Sequence, residues 1–251
     1  MTEHQYPTEV ITLPSEGKCY PSDNPLSTGQ LEIKYMTAKE EEILASQNLI
    51  KKGVVLDKLF ESIIVDKNIN PDDIILGDKN AIMLATRILG YGPEYIVEIE
   101  DSEGIRSKFS VDLSKVQTKD IDMSLLNANN EYEFETPIGK NKLVFKLLTH
   151  GDEKAIDGDI KALNKLNRES SSELTTRYRY MIKSVDGKDD TKSIVDFINN
   201  RFLARDTKAF REHLKKIQPD VKMEFEYTDP ASGEKEVRSI PMGVGFFWPS
   251  E

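Results

Sequence analysis

The chain has 251 residues, and its 34 Lys and Arg against 44 Asp and Glu give a formal net charge of −10. Because an acidic chain repels phosphate backbones, this composition argues against a general nucleic-acid-binding protein. The sequence contains no run of about 18 apolar residues that could span a membrane, and its one cysteine, Cys19, can form neither an internal disulfide nor a cysteine-based zinc site.

Short strands and amphipathic helices are predicted for the N-terminal part of the chain. Strands are predicted over residues 10–13 and 31–35, with an ordered loop rich in proline and glycine between them. Thr37 and Glu40 form a capping box at the start of the first helix, and Asp78 is predicted to cap the third. These helices are predicted over residues 38–51, 55–65 and 79–89.

Hairpins and further helices are predicted for the rest of the chain. Alternating apolar residues predict hairpins over residues 95–113, 132–147 and 223–237. Apolar stripes predict helices over residues 152–166, 170–185, 194–202 and 210–217, and Ser170 with Glu173 forms a capping box. This pattern predicts an α+β fold, with an α+β region over 1–150 and a helical region with a C-terminal hairpin over 151–251. Because the composition does not shift sharply at that boundary, one continuous unit is the alternative.

Sequence motifs for phosphate binding are absent. Gly139-Lys140 lacks the following Ser or Thr of a P-loop, and Gly90-Tyr91-Gly92 lacks the third glycine of a dinucleotide-binding loop. The histidines His4, His150 and His213 have no serine or cysteine partner at local spacing, so an ordinary surface or capping role is favoured for each. The sequence therefore predicts no catalytic residue and no cofactor.

Acidic clusters could supply oxygen ligands for Mg²⁺ or Ca²⁺, for example at Asp72-Asp73 and at Asp157 with Asp159. No segment has the EF-hand pattern. Carboxylates are common at helix starts because they stabilise the positive end of the helix dipole, so this structural role is favoured and no metal ligand is predicted. A metal-dependent hydrolase that uses Asp157 and Asp159 is the remote alternative.

The aromatic residues Phe246, Phe247 and Trp248 are consecutive and lie close to residue 251. A terminal strand folded onto the core is the favoured interpretation, because exposed apolar surface costs roughly 25 cal/mol per Å². The alternative is an anchor that inserts into a partner protein, since Trp is enriched at the energetic centres of protein interfaces.

Four segments, in this order and spacing, resemble one known family. They are Leu13-Pro14-Ser15-Glu16-Gly17-Lys18-Cys19-Tyr20-Pro21 with Asn24-Pro25-Leu26, Leu31 to Tyr35 with Met36-Thr37-Ala38-Lys39-Glu40-Glu41, Gly77-Asp78 through Arg87 to Tyr91-Gly92, and Ile240-Pro241-Met242-Gly243 to Phe246-Phe247-Trp248-Pro249. Together they resemble the baseplate hub and hub-assembly proteins of T-even-like contractile-tailed bacteriophages. The resemblance covers most of the chain and is weakest over about 152–218.

The resemblance implies a non-enzymatic role in the phage tail baseplate, with other baseplate or hub proteins as partners. Nucleic acid and a membrane span are not expected, and the oligomeric state is left open. The chain is then either a structural protein of the virion or an assembly chaperone that acts in the host cytoplasm and is absent from the mature virion. The residues predicted to contact partners are Leu13, Pro14, Tyr20, Pro21, Phe246, Phe247 and Trp248.

The family resemblance also bears on zinc. Some members of the family have Cys-x-x-Cys pairs in two β-turns, which would bind the metal. The corresponding turns here are Glu100 to Gly104 and Asp229 to Gly233, with Asp229 and Ser232 at two of the cysteine positions. Neither turn has a thiol, so no structural zinc is predicted, and turn chemistry and packing must hold these hairpins together.

Overall fold

The computed structural model describes residues 6–166 and 173–248, which form an α+β fold, as predicted. The helices are α1 (Ala38–Ala45), α2 (Gln47–Lys52), α3 (Val55–Ile63), α4 (Leu76–Tyr91), α5 (His150–Leu166), α6 (Glu173–Met181), α7 (Thr191–Asp196) and α8 (Ala204–Ile217). The strands are β1 (Thr8–Thr12), β2 (Gln30–Lys34), β3 (Glu94–Glu100), β4 (Arg106–Asp112), β5 (Tyr132–Glu135), β6 (Lys142–Phe145), β7 (Ile182–Val185), β8 (Glu224–Thr228) and β9 (Lys235–Ser239). No helix among the described residues is both long and apolar enough to cross a membrane.

The strands pair in small antiparallel sheets. β1 pairs with β2, β3 with β4, and β8 with β9, while β5, β6 and β7 form a three-stranded sheet in that order. The hairpins predicted over residues 95–113, 132–147 and 223–237 are therefore confirmed. Within the three-stranded sheet, β6 lies in the centre and β5 and β7 are the outer strands.

The strand β7 corrects the sequence prediction, which placed Ile182 and Val185 in a helix. The helix α6 ends at Met181, and β7 then pairs with β6 as the third strand of its sheet. The β-branched side chains of Ile182 and Val185 favour a pleated strand. The chain then turns at Asp186 and Gly187, whose φ angles are 52° and 77°.

Two helix boundaries also differ from the prediction. The helix predicted over 38–51 is interrupted at Ser46, which ends α1 and caps α2 with its hydroxyl. Serine favours this position because its hydroxyl competes for backbone hydrogen bonds. The helix α4 begins at Leu76, so Asp78 lies inside its first turn and is not the capping residue. The predicted cap Ser170 lies outside the described residues.

The main hydrophobic core includes residues from both sides of the predicted boundary near residue 150. Phe145 of β6 meets Phe210 of α8 with ring centroids 4.9 Å apart. The pairing of β6 with β7 also crosses the boundary. The regions 1–150 and 151–251 thus share one core.

A second apolar cluster lies between α4 and the hairpins β3–β4 and β8–β9. Its buried residues are Ala81, Leu84, Tyr95, Val111, Leu113, Val221, Ile240 and Phe246. Phe109 of β4 stacks on Phe225 of β8 with ring centroids 5.5 Å apart, and its edge contact with Tyr227 spans 5.7 Å. These rings hold the two hairpins against each other.

The predicted capping box at the start of α1 is confirmed, and it also links α1 to neighbouring elements. The buried Glu40 carboxylate accepts hydrogen bonds from the Thr37 backbone N–H at 2.8 Å and from the Ser62 hydroxyl at 2.5 Å. The Lys34 ammonium lies 2.8 Å from the same carboxylate. Burial alone would raise the pKa of Glu40, but the donors on Lys34, Ser62 and Thr37 outweigh it and lower the pKa to about 2.

The depressed pKa of Glu40 predicts a loss of stability in acid. A depressed carboxyl pKa contributes stability above the unfolded value near 4, and this contribution is lost as the pH falls through about 2. We expect Glu40→Gln to lower the free energy of unfolding by roughly 2 kcal/mol at pH 7, and this deficit to shrink between about pH 5 and pH 2. Urea denaturation across this range measures it, with exposed Glu42→Gln on the same helix as the control. A deficit that does not change with pH would contradict the assignment.

Candidate functional site

A single buried carboxylate holds the N-terminal loop against the start of α4. Asp78 is fully buried, and it accepts hydrogen bonds from the Ser15 backbone N–H at 2.9 Å, the Ser15 hydroxyl at 2.7 Å and the Tyr20 hydroxyl at 2.6 Å. The Tyr20 oxygen in turn accepts a hydrogen bond from the Ile75 backbone N–H at 3.1 Å. Residues more than fifty positions apart are thereby joined in one network.

The electrostatics of this network suit a structural link. Burial raises the pKa of Asp78, and the donors on Ser15 and Tyr20 act in the opposite direction. Burial and the nearby Asp78 raise the pKa of Tyr20 well above its ordinary value, so the phenol keeps its proton and remains a donor. Since neither Asp78 nor Ser15 has any exposed surface, no substrate in solution reaches them in this conformation.

The shape of the loop depends on a close approach between Gly17 and Gly29. Gly17 has a φ of 78°, and a Cβ atom there would lie 2.3 Å from the Ser27 carbonyl oxygen. Gly29 has a φ of 70°, and its Cβ would lie 2.6 Å from the Glu16 carbonyl carbon. Only glycine fits these two positions, which explains both glycines of the loop in physical terms.

Most of the loop residues predicted to contact partners are buried by this chain itself. Leu13 is 1% exposed and Tyr20 is 4% exposed, and Pro14 is also buried. Their side chains are therefore turned away from the surface, because Leu13 packs in the main core and Tyr20 bonds to Asp78. Pro21 is exposed, and among the four it alone offers its side chain to a partner.

The C-terminal aromatic residues divide in the same way. Phe246 and Phe247 are buried, as the favoured interpretation expects, although they lie in a 3₁₀ turn and not in a strand. The Phe246 ring lies 5.2 Å from the Tyr95 ring. Trp248 is 37% exposed. Contact with a partner therefore remains a prediction for Trp248, whereas the two phenylalanines pack inside the chain.

Arg87 holds the other end of α4, a role that sequence reasoning missed. It is 2% exposed, and its two Nη atoms donate to the carbonyl oxygens of Gly92 and Glu94, each at 3.0 Å. The guanidinium also lies 5.2 Å from the centre of the Tyr91 ring. Burial lowers the pKa of Arg87, with Tyr95 and Tyr91 opposing. This arginine thus joins the end of α4 to β3.

His150, for which a surface or capping role is expected, lies instead in a buried polar cluster at the first residue of α5, and neither ring nitrogen bonds to a backbone group of the described residues. It is 4% exposed, and its Nε2 lies 2.7 Å from Asp57 Oδ1, 93 positions away in sequence. Its Nδ1 has no hydrogen-bond partner among the described residues. Burial and nearby Lys79 lower the pKa of His150 against the opposing effect of Asp57. The ring is therefore neutral near pH 7 and donates its Nε2 proton to Asp57.

Asp57, Asp72 and His150 offer the donor types of a metal site, with ligand atoms within 4.8 Å of one another. However, the Lys154 ammonium lies between the two carboxylates, 3.3 Å from Asp57 Oδ1 and 2.8 Å from Asp72 Oδ1. A divalent cation at this point would have to displace that ammonium and the hydrogen bond of His150. The arrangement therefore fits an ion-pair link between α3 and α5 better than a metal centre.

The other residues considered for chemistry do not converge. Asp157 and Asp159 lie two positions apart on α5, so their side chains point to different faces of the helix. His213 packs against the aromatic rings beside α8. His4 lies outside the described residues.

The two turns that the family resemblance compares with zinc-binding turns lie side by side. Asp229 Oδ2 accepts a hydrogen bond from the Ser102 backbone N–H at 2.9 Å, while Oδ1 accepts from Ala231 at 2.7 Å and Ser232 at 3.1 Å. Burial raises the pKa of Asp229, but these backbone donors outweigh it and lower the pKa. One carboxylate therefore links the two hairpins, which is the kind of turn chemistry the sequence predicts.

Three of the segments that resemble the phage family contact the fourth, which forms most of α4. Ser15 and Tyr20 donate hydrogen bonds to Asp78. The Met36 side chain packs on Gly90, where a Cβ atom would lie 2.3 Å from the Met36 Cε. The C-terminal segment reaches the same helix through Phe246, which clusters with α4 residues.

No family model, curated protein or solved structure matches the chain.

Proposed function

We propose that this chain is a non-enzymatic protein of a contractile phage tail baseplate, and that it acts through contacts with other baseplate or hub proteins. The observation that carries the proposal is that three of the resembling segments contact the fourth, which forms most of α4. They do so through Asp78, Gly90 and Phe246, so the segments that carry the resemblance lie together in the fold.

The chemistry of the described residues supports a non-enzymatic role. Burial raises the pKa of the Cys19 thiol to about 11, so it is protonated and a weak nucleophile near pH 7. Asp78 is sealed from solvent, and Asp229 is bound by backbone N–H groups. His150 bonds to Asp57, and no serine or cysteine is found at hydrogen-bond distance from its ring in the described residues. Polar side chains here join elements of the fold.

Affinity capture tests the proposal. The chain carrying a tag would be produced during phage infection, captured after mild cross-linking, and its cross-linked peptides identified by mass spectrometry. We expect cross-links to baseplate or hub proteins that are at least about tenfold enriched over capture with an unrelated acidic protein. Equal recovery of these proteins with both baits would contradict the proposal.

A further inference from the structure

The outer strand β5 has a free edge. The Thr136 backbone N–H bonds to the Asn141 carbonyl oxygen at 3.0 Å, which places Thr136 among the residues that face β6. Backbone groups alternate between the two sides of an antiparallel strand. The N–H and C=O groups of Glu133 and Glu135 therefore face away from β6, towards the open side of the sheet.

This edge is held rigidly at both ends. Asn127 occupies the outward backbone groups of Glu131, because its side chain accepts from the Glu131 N–H at 3.2 Å and donates to the Glu131 carbonyl oxygen. At the other end, buried Asp206 accepts from the Ile138 and Gly139 N–H groups at 2.8 and 3.0 Å. These bonds hold the free part of the β5 edge in strand geometry. Binding of a partner strand would therefore cost β5 little conformational entropy.

Depressions lie on both sides of this strand and share Glu133. One, of about 520 Å³, lies over the outer face of the sheet beside Val144 and Ser184. The other, of about 390 Å³, lies towards α8 and is lined by Leu125 and Ile217. Because side chains of an added strand alternate between faces, each depression would receive every second side chain.

The charge of the β5 edge determines which kind of partner strand can pair with it. Glu133 and Glu135 are exposed and lie on the face opposite Phe134, whose ring packs on Phe210 at 5.4 Å. Glu135 pairs with Lys140 at 3.7 Å, whereas Glu133 has no ion-pair partner within the part of the chain that the structure describes. Pairing this edge with the same edge of a second copy would bring like charges together, which destabilises cross-strand pairs.

We infer that the free edge of β5 binds an extended segment of a partner protein in which Lys or Arg alternates with apolar residues. The segment would add a fourth strand, with basic side chains beside Glu133 and Glu135 and apolar side chains towards Leu125 and Ile217. This goes beyond the proposed function, which names no contact surface, and it stands whether or not the partner is a baseplate protein.

A defined peptide tests this inference on the full chain. The probe is a fluorescent peptide of about nine residues in which lysine and valine alternate. The comparison peptides have the same composition in two blocks, or glutamate in place of lysine. At physiological ionic strength we expect the alternating basic peptide to bind at least about tenfold more tightly than either.

Four variants separate strand addition from simple charge attraction. Glu133→Lys with Glu135→Lys should weaken binding by at least about tenfold. Glu133→Gln removes the carboxylate and keeps the outward N–H, whereas Glu133→Pro removes both, a change that an edge strand tolerates. Glu133→Pro should therefore bind about fivefold more weakly than Glu133→Gln. Exposed Glu103→Lys, on a different hairpin, is the matched control and should bind as the unchanged chain does. Thermal unfolding of each variant verifies the fold.

The outcomes are distinct. Equal binding of the alternating and block peptides, or equal binding by Glu133→Pro and Glu133→Gln, would overturn strand addition. If the unchanged chain dimerises and the double lysine variant changes this dimerisation, a second copy of the chain occupies the edge. That result would overturn the inference of a basic partner segment. Failure of the alternating peptide to bind would overturn the inference and leave the baseplate proposal standing, since that proposal does not depend on β5.

Discussion

Asp78→Ala is expected to lower the free energy of unfolding by about 3–5 kcal/mol. The substitution would leave the Ser15 N–H, the Ser15 hydroxyl and the Tyr20 hydroxyl buried without their acceptor. Each orphaned donor loses its bond without regaining water, which is why the loss is large. Urea denaturation followed by circular dichroism measures it.

The control for this variant is Asp23→Ala, in the same loop. Asp23 is exposed, and its loss should change the free energy of unfolding by no more than about 0.5 kcal/mol. Proteolysis adds a local readout, because the loop should be cut faster in Asp78→Ala than in the control at the same fraction folded. Similar stabilities for the two variants would mean that Asp78 does not hold the loop.

Phe246→Ala and Phe247→Ala are each expected to cost about 3–5 kcal/mol. Both side chains are buried, and Phe246 contacts Tyr95 in the cluster beside α4. Trp248→Ala provides the contrast, since its side chain is 37% exposed and its loss should cost about 1 kcal/mol or less. Thermal and urea unfolding of the three variants measure this order.

This second prediction also decides between the two interpretations of the aromatic segment. If the Phe246→Ala variant is as stable as the unchanged chain but no longer binds its partner, Phe246 is an anchor for the partner. That result would contradict its assignment to the core. If Trp248→Ala keeps the stability and weakens capture of the partner, Trp248 is the contact residue of this aromatic segment.

The hairpins and the capping box of α1 could be predicted because their signals are local. Alternation over residues 95–113 defines the faces of β3 and β4, and the Thr37–Glu40 pair forms within one turn of α1. The strand β7 could not be predicted in this way. Ile182 and Val185 also fit helical spacing, and only pairing with β6, which lies about forty positions earlier, makes them a strand.

The direction of the side chains in the loop could not be predicted from its sequence motif. A motif with leucine, serine, glycine and tyrosine fits a partner surface as well as an internal anchor. The distinction depends on Asp78, which lies 63 positions from Ser15. For the same reason, the pair of His150 with Asp57, 93 positions apart, had no signal in local spacing.

The central claim, membership of a phage tail baseplate assembly, is tested most directly by quantitative mass spectrometry of purified virions beside lysates of infected cells. The account predicts that the chain is found at a fixed ratio to tail proteins in virions, which would mark a structural component, or with hub precursors in lysates alone, which would mark an assembly chaperone. A chain that associates with tail proteins in neither sample would contradict the account.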